Sequence, residues 1–411
     1  MYILLVNTPS GNNSKIYPIG LDYLASYLSH LDVRVECLDL DLCMPETRKK
    51  RLQETVKTRQ YDIIAFNLRN LCDQTVAGSF YIPLLKELIE YARLAAGSNQ
   101  LIAIGGAGAS ISPEQIMRKV NADAVIAGDG EAGFAELIRL LNKGHEITGT
   151  VISSRTDLHR SSYIRGSWGY LEPYLELGVD GNLQTKRGCN RLCVYCSYPI
   201  IEGPHIRLRN PVVVAEEFLQ LERIGFKKIF IVDAVFNNPL HHAKEVLRAM
   251  IAAKSTTEWT GFFCPKYIDQ ELLDLVNSTN GGHPVKITID SGSDTILSSL
   301  SKGFTRSDIV SATKLCRKSG IPFSFTVLFG GPGENIETIA ETCELIKETK
   351  PEYVSASIGI YVYPQTKLAS MCAYEEHELL GTTSYPVNRG GVKFQVEKHL
   401  EGCAFPVYLQ Y

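Results

Sequence analysis

Short apolar runs alternate with amphipathic stretches along almost the whole chain, and the alternation breaks down only between residues 143 and 180. In the first block the runs lie at 2–6, 34–38, 63–66, 101–104 and 124–127, with helical spacing at 21–28 and 131–141. Five strands separated by helices predict an α/β fold with a doubly wound, Rossmann-like parallel sheet over residues 1–142. The second block opens with a strand near 182–185 and adds strands at 228–232, 259–263, 285–289, 322–328 and 353–361. Helical patterns at 211–224, 241–253, 269–277, 306–319 and 335–349 separate them. Six strand–helix units predict a partial (β/α)6 TIM-type barrel over residues 181–370, with its chemistry at the C-terminal strand ends. Residues 143–180 are expected to be a linker whose aromatics pack across the domain junction, and 371–411 a C-terminal tail.

Bulk composition excludes several classes. With 42 Lys+Arg against 45 Asp+Glu the net charge is −3, which disfavours a basic nucleic-acid binder or a polybasic membrane protein. No run approaches the roughly 18 apolar residues of a membrane span. The start, Met1 to Val6, lacks a basic n-region and reads as mature, cytoplasmic protein. Eleven cysteines, an odd total with no secretion signal, argue against a disulfide framework. Eight are scattered and read as buried small hydrophobes in a reducing compartment. The other three, Cys189, Cys193 and Cys196, fall within eight residues and need a different explanation.

In doubly wound sheets ligands bind beyond the carboxyl ends of the strands. Those ends here carry Asn67-Leu68-Arg69-Asn70, Gly105-Gly106-Ala107-Gly108 and Gly128-Asp129-Gly130-Glu131. Glycines there let a bulky planar ligand approach the backbone, although turns that need φ > 0 select glycine too. No G-x-G-x-x-G opens the first helix, which disfavours a nicotinamide dinucleotide.

Residues 105–114 (Gly-Gly-Ala-Gly-Ala-Ser-Ile-Ser-Pro-Glu) and 122–131 (Ala-Asp-Ala-Val-Ile-Ala-Gly-Asp-Gly-Glu) resemble the cobalamin-binding domain that precedes many radical enzymes. The resemblance implies cobalamin contacts from Asn67, Arg69, Gly105, Gly106, Gly128, Gly130 and Glu131. The D-x-H-x-x-G stretch that supplies a cobalt-ligating histidine in many cobalamin proteins is absent. That implies a lower face free of protein histidine, suited to shuttling between Co(I) and methyl-Co(III). Arg69 is placed either near that face, keeping water off the metal, or as a surface or phosphate-contacting arginine.

The three clustered cysteines are spaced C-x3-C-x2-C on a polar Gly/Asn/Arg loop. Three thiolates hold three irons of a cubane and leave the fourth iron open to a substrate or cofactor. A structural zinc site wants a fourth ligand, for which His205 is the nearest candidate. The spacing, with the aromatic Tyr195, resembles the radical S-adenosylmethionine superfamily. Residues 184–189 and 198–203 also look like its cobalamin-dependent branch. The resemblance implies a [4Fe-4S] cluster on Cys189, Cys193 and Cys196, and S-adenosylmethionine bound near Tyr195, Asp233, Asp290, Ser291, Gly330 and Gly331. Asp290 stands where glutamate is common, and Asp290 and Ser291 are also good helix caps.

Such a chain is expected to methylate an unactivated carbon of a small-molecule substrate, using methylcobalamin and a 5′-deoxyadenosyl radical. An external one-electron donor of flavodoxin or ferredoxin type would serve it. The alternatives are a ring contraction, cyclisation or rearrangement without methyl transfer, or a non-catalytic cobalamin or redox sensor. The short stretch after the barrel suggests a small substrate, or a partner that completes the pocket. No catalytic residue stands out; Asn237, His241, Tyr361 and Tyr363 lie near strand ends, as pocket lining or as ordinary packing and caps.

Overall fold

The computed structural model describes residues 1–9, 15–72, 80–97, 100–372, 374 and 383–410. The first sheet contains β1 (Tyr2–Asn7), β2 (Arg34–Asp39), β3 (Ile63–Asn67), β4 (Leu101–Gly105), β5 (Ala124–Gly128) and β6 (Thr150–Ser154). All are parallel, in the order β2-β1-β3-β4-β5-β6. Because side chains alternate along a strand, the sheet feeds two cores. Leu5, Ala65, Ala103 and Ile126 face helices Ile19–Leu28 and Gly130–Asn142. Leu4, Ile64, Phe66 and Ile104 face helices Arg48–Lys57, Tyr81–Ala96 and Pro113–Val120. Each fully buried Leu, Ile or Phe among them contributes roughly 1.5–3 kcal/mol. The register aligns Asn7, Asn67 and Gly105, so the strand ends form one rim. β6 was not expected: it falls in the stretch read as linker and adds a sixth strand at the sheet edge.

The second unit contains β7 (Gly181–Leu183), a short antiparallel pair β8 (Lys186–Arg187) and β9 (Arg207–Leu208), then β10 (Lys228–Ile231), β11 (Glu258–Phe263), β12 (Val285–Asp290), β13 (Phe323–Phe329), β14 (Val354–Ile358) and β15 (Val407–Gln410). The open parallel sheet runs β7-β10-β11-β12-β13-β14-β15. It therefore has seven strands where six units were expected. The seventh, with helix Arg389–Leu400 packed on helix Ile336–Thr349, comes from the stretch expected to be a tail. β15 is short and half-exposed at the sheet edge, and its apolar run, Val407–Leu409, is only three residues long.

The two units are joined through a buried polar hub. Arg165, in the linker, donates to Asp22 Oδ2 at 2.7 Å and to Glu217 Oε1 at 2.9 Å. Arg209 completes the Glu217 carboxylate. The Tyr23 ring stacks on Tyr163 at 3.9 Å, with Arg165 and Arg209 against it. The linker aromatics Tyr163, Trp168 and Tyr174 are all buried. Charges are tolerated here because each meets an opposite charge with good hydrogen-bond geometry.

Candidate functional site

A cavity of about 190 Å³ lies between the rim of the first sheet and the start of the barrel. The first domain lines it with Asn67, Gly105, Gly106, Gly128, Gly130 and Glu131 over an apolar floor of Leu5, Ala65, Ile126 and Phe134. The second contributes Gln184, Arg187, Ile201 and Glu202. At Gly106 (φ +101°) a Cβ would fall 2.3 Å from Asn67 Oδ1 and 2.7 Å from Leu68 O, so only bare backbone fits. Gly128 (φ +91°) is covered by the guanidinium of Arg155, which reaches Ile200 O at 3.3 Å. Arg69 is half-buried near Asp41, Tyr81 and Tyr174 and is not among the lining residues; burial lowers its pKa.

Glu131 was expected to touch cofactor, but its carboxylate is already engaged. Arg187 binds it through both nitrogens at 3.0 and 2.7 Å, and Tyr163 donates to it at 2.7 Å. Burial pushes this carboxyl up, yet the Arg187 charge outweighs it and holds the pKa below the usual range. Glu202 accepts from Gly188 N at 2.9 Å and Gln184 Nε2 at 3.1 Å, and burial pushes it up to about 7.

The cysteine loop, residues 188–206, hangs from the β8–β9 pair. Its base is tight: Gly188 (φ +94°) would put a Cβ 2.2 Å from His205 O. Cys189 N donates to Gly203 O and Cys196 N to Cys193 O. Burial pushes the Cys189 and Cys196 thiols up, the latter to about 12, and the neighbouring cysteines add to the shift. Among the described residues no three His, Cys, Asp or Glu side chains close on a single ion. Arg191, from the same loop, reaches Cys264 Sγ and Lys302 O.

Tyr195 donates to Asp290, and Lys302 Nζ meets the same carboxylate at 2.6 Å and Tyr195 Oη at 3.2 Å. Asp290 ends β12 in the left-handed region, φ +62°, a conformation aspartate tolerates better than most residues. A second cavity, about 200 Å³, lies beside Tyr195 and the ends of β13 and β14, lined also by Tyr361, Tyr363 and Arg389. Gly330 (φ +89°) donates its N–H to Glu334, and Gly331 packs beside Leu300.

Two expected contacts point elsewhere. Asp233 is buried and taken by Thr185 N at 2.8 Å and Lys186 Nζ at 2.6 Å. The Ser291 hydroxyl is buried against Thr342 Oγ1 at 3.0 Å. Asn237 uses its amide on Cys264 O and Tyr267 O, a packing role. Sequence reasoning missed Arg187, Glu202, Arg191, Lys302 and Arg389. Arg187, Arg191 and Glu202 lie inside motifs already singled out, where a charged side chain is the signal; Lys302 and Arg389 are brought in only by the fold.

The donor sets suit two groups. Three thiols on one loop, with Lys302 and Arg191 nearby to offset charge, match a cluster that takes three thiolates. The glycine rim over an apolar floor suits a flat group pressed against backbone.

Comparison with known proteins agrees. Residues 183–346 match the family model of the radical SAM superfamily, and residues 13–138 that of the B12 binding domain. An uncharacterized methyltransferase of Pyrococcus horikoshii is 26% identical over 90% of this chain and 82% of its own length. A tryptophan 2-C-methyltransferase of Streptomyces laurentii is 26% identical over 49% of this chain, which spans only 36% of that protein. Among solved structures, the radical S-adenosylmethionine methyltransferase TsrM of Kitasatospora setae, with cobalamin and a [4Fe-4S] cluster bound, superposes with a TM-score of 0.78 at 22% identity, covering 90% of this chain and 75% of its own. The cobalamin-dependent radical enzyme OxsB gives 0.69 at 17% identity, covering 97% and 56%. At these identities the structural likeness is one of fold. No described helix is long and apolar enough to cross a membrane.

Proposed function

The chain belongs to the cobalamin-dependent radical S-adenosylmethionine enzymes, a B12-binding domain followed by a radical SAM domain, and on that premise we propose that it methylates an unactivated carbon of a small molecule. The observation that carries this reading is the shared cavity. Its one wall is the glycine rim of the first sheet, and its other wall includes Ile201 and Glu202 of the very loop that bears the three cysteines. A corrinoid on that rim would face the cysteine loop directly, which is what a reaction drawing on two cofactors requires.

Cys189, Cys193 and Cys196 would hold the cluster, and Asn67, Gly105, Gly106, Gly128 and Gly130 would bed the corrinoid. Bound there, the cluster with S-adenosylmethionine supplies a one-electron cleavage that yields an adenosyl radical, and cobalamin supplies a methyl carrier. The chain's own part is to bind, orient and keep water out. Tyr195, tied to Asp290 and Lys302, fixes the open side of the loop against β12. Gly330 packs against Gly359 in the wall of the second cavity, and the backbone there would take the nucleoside part of S-adenosylmethionine. Asp233 and Ser291 serve by positioning, through Thr185–Lys186 and Thr342 respectively.

The test is anoxic turnover with S-adenosylmethionine carrying a deuterated methyl group, across a panel of aromatic and heterocyclic small molecules. The reading requires 5′-deoxyadenosine together with a product heavier by one deuterated methyl. Deoxyadenosine with unlabelled, rearranged product would overturn it.

A further inference from the structure

The strand-end sequence Gly128-Asp129-Gly130-Glu131 lines the cavity like a ligand-binding turn, yet its two carboxylates are taken up by arginines of the other domain. Glu131 takes Arg187 in a two-pronged contact, 3.0 and 2.7 Å. Asp129 takes Arg207 through both nitrogens, one of them at 3.2 Å, and also lies 3.5 Å from Arg187. Arg187 and Arg207 are direct partners across the β8–β9 pair. They are the two posts from which the loop 188–206, with all three clustered cysteines, is suspended. Asp129, Glu131 and Arg187 are each less than one-tenth exposed.

The grip extends into the loop. Arg207 donates to Glu202 O at 2.9 Å, and Arg187 Nε to Gln184 Oε1 at 3.0 Å. Gln184 in turn holds Glu202, whose other oxygen accepts from Gly188, next to Cys189. Tyr163 and Thr156 from the linker complete the two carboxylates at 2.7 Å each. Two-pronged arginine–carboxylate pairs fix orientation as well as distance, which single hydrogen bonds do not.

We propose that Asp129 and Glu131 are positioning residues, a double latch that docks the cysteine loop on the glycine rim and thereby sets the separation of the corrinoid and the iron–sulfur cluster. This rests on the function proposed above. The two residues flank Gly130 so that one turn bares backbone to a ligand and clamps the loop carrying the second cofactor. Burying two acids and an arginine is costly unless they are mutually satisfied, and removing one partner frees the others.

The test compares wild type, Asp129→Asn, Glu131→Gln and the double variant as full-length chains, by two measurements. Hydrogen exchange on cofactor-free protein is expected to rise about tenfold or more in residues 188–206 of the variants, with β10–β14 unchanged. After loading with iron, sulfide and cobalamin, the magnetic coupling between Co(II) and the reduced cluster is expected to weaken and broaden while both cofactors remain at wild-type amounts. A purely stabilising role would leave that coupling unmoved. Unchanged exchange in the loop of the double variant overturns the latch. So does loss of corrinoid from a loop that stays protected, because the acids would then be cofactor ligands. Should Glu131→Gln fail to fold, Asp129→Asn decides alone, since Arg207 keeps Thr156 O and Glu202 O. A wild type that takes up neither cofactor would sink the proposed function, and the exchange measurement would still decide the latch.

Discussion

The hydroxyl of Tyr195, in the cysteine loop, donates to the carboxylate of Asp290 at the end of β12. Lys302 closes that carboxylate from a second direction at 2.6 Å and is 5% exposed. The loop's aromatic is thereby tied to the barrel by a buried charge pair. Asp290→Asn leaves the Lys302 ammonium without its counter-charge, and the expected loss is about 3–5 kcal/mol. Urea unfolding of the two proteins checks it, and adding Lys302→Met to Asp290→Asn is expected to restore part of the loss. Equal midpoints for wild type and Asp290→Asn would refute the pairing argument.

Two glycines on the same cavity are expected to behave in opposite ways. Gly106→Ala places a methyl group 2.7 Å from Leu68 O at φ +101°, so the backbone must move, at about 1–3 kcal/mol or more. Corrinoid retention should fall with it. Gly20 sits in helix Ile19–Leu28 with nothing within 4 Å of its absent Cβ. Gly20→Ala is expected to be neutral or to stabilise by about 0.5–1 kcal/mol. Thermal melts and corrinoid absorbance after gel filtration separate the two outcomes.

Burial pushes the Glu334 carboxyl from 4.5 up to about 7, against the opposing pull of the Gly330 and Gly331 N–H groups. One of its oxygens, Oε1, is buried with no partner among the described residues, which suits a protonated acid. A carboxyl raised on folding gives stability that is fully present below the unfolded pKa and is lost as pH rises through the folded one. Wild type should therefore lose stability between about pH 4.5 and 7 relative to Glu334→Gln. Above pH 7 the variant is expected to be the more stable, by up to about 3 kcal/mol. Parallel stability–pH curves for the two would contradict this.

The two cofactor sites are expected to load separately. Changing Cys189, Cys193 or Cys196 singly to Ser should strip iron and the visible absorption of the cluster, with corrinoid content unchanged. Conversely, Gly106→Ala should spare iron. Iron, sulfide and corrinoid assays on reconstituted variants check both statements.

The central strands were legible because strands buried on both faces, such as Ile63–Asn67 and Leu101–Gly105, are nearly continuous apolar runs. Two of the four edge strands were not: β6 reads Thr-Val-Ile-Ser-Ser and β15 Val-Tyr-Leu-Gln, each half wet and too short to show a period. The cysteine triplet was legible because its chemistry is local. Glu131 lines the cavity as its strand-end position suggests, but its bond to the other domain was not legible, because ligand contacts and domain latches share such positions. Only the fold brings Arg187, fifty-six residues away, to its carboxylate. Ser291 and Asp233 were likewise placed correctly along the chain, but their hydroxyl and carboxylate turn inward, which sequence spacing does not encode.

The most direct measurement is metal and corrinoid content after anoxic reconstitution of the full chain with iron, sulfide, zinc and cobalamin together. The account predicts one four-iron cluster and one corrinoid per chain, and 5′-deoxyadenosine on reduction with S-adenosylmethionine. A chain that emerges with a single zinc ion and no corrinoid colour would contradict it.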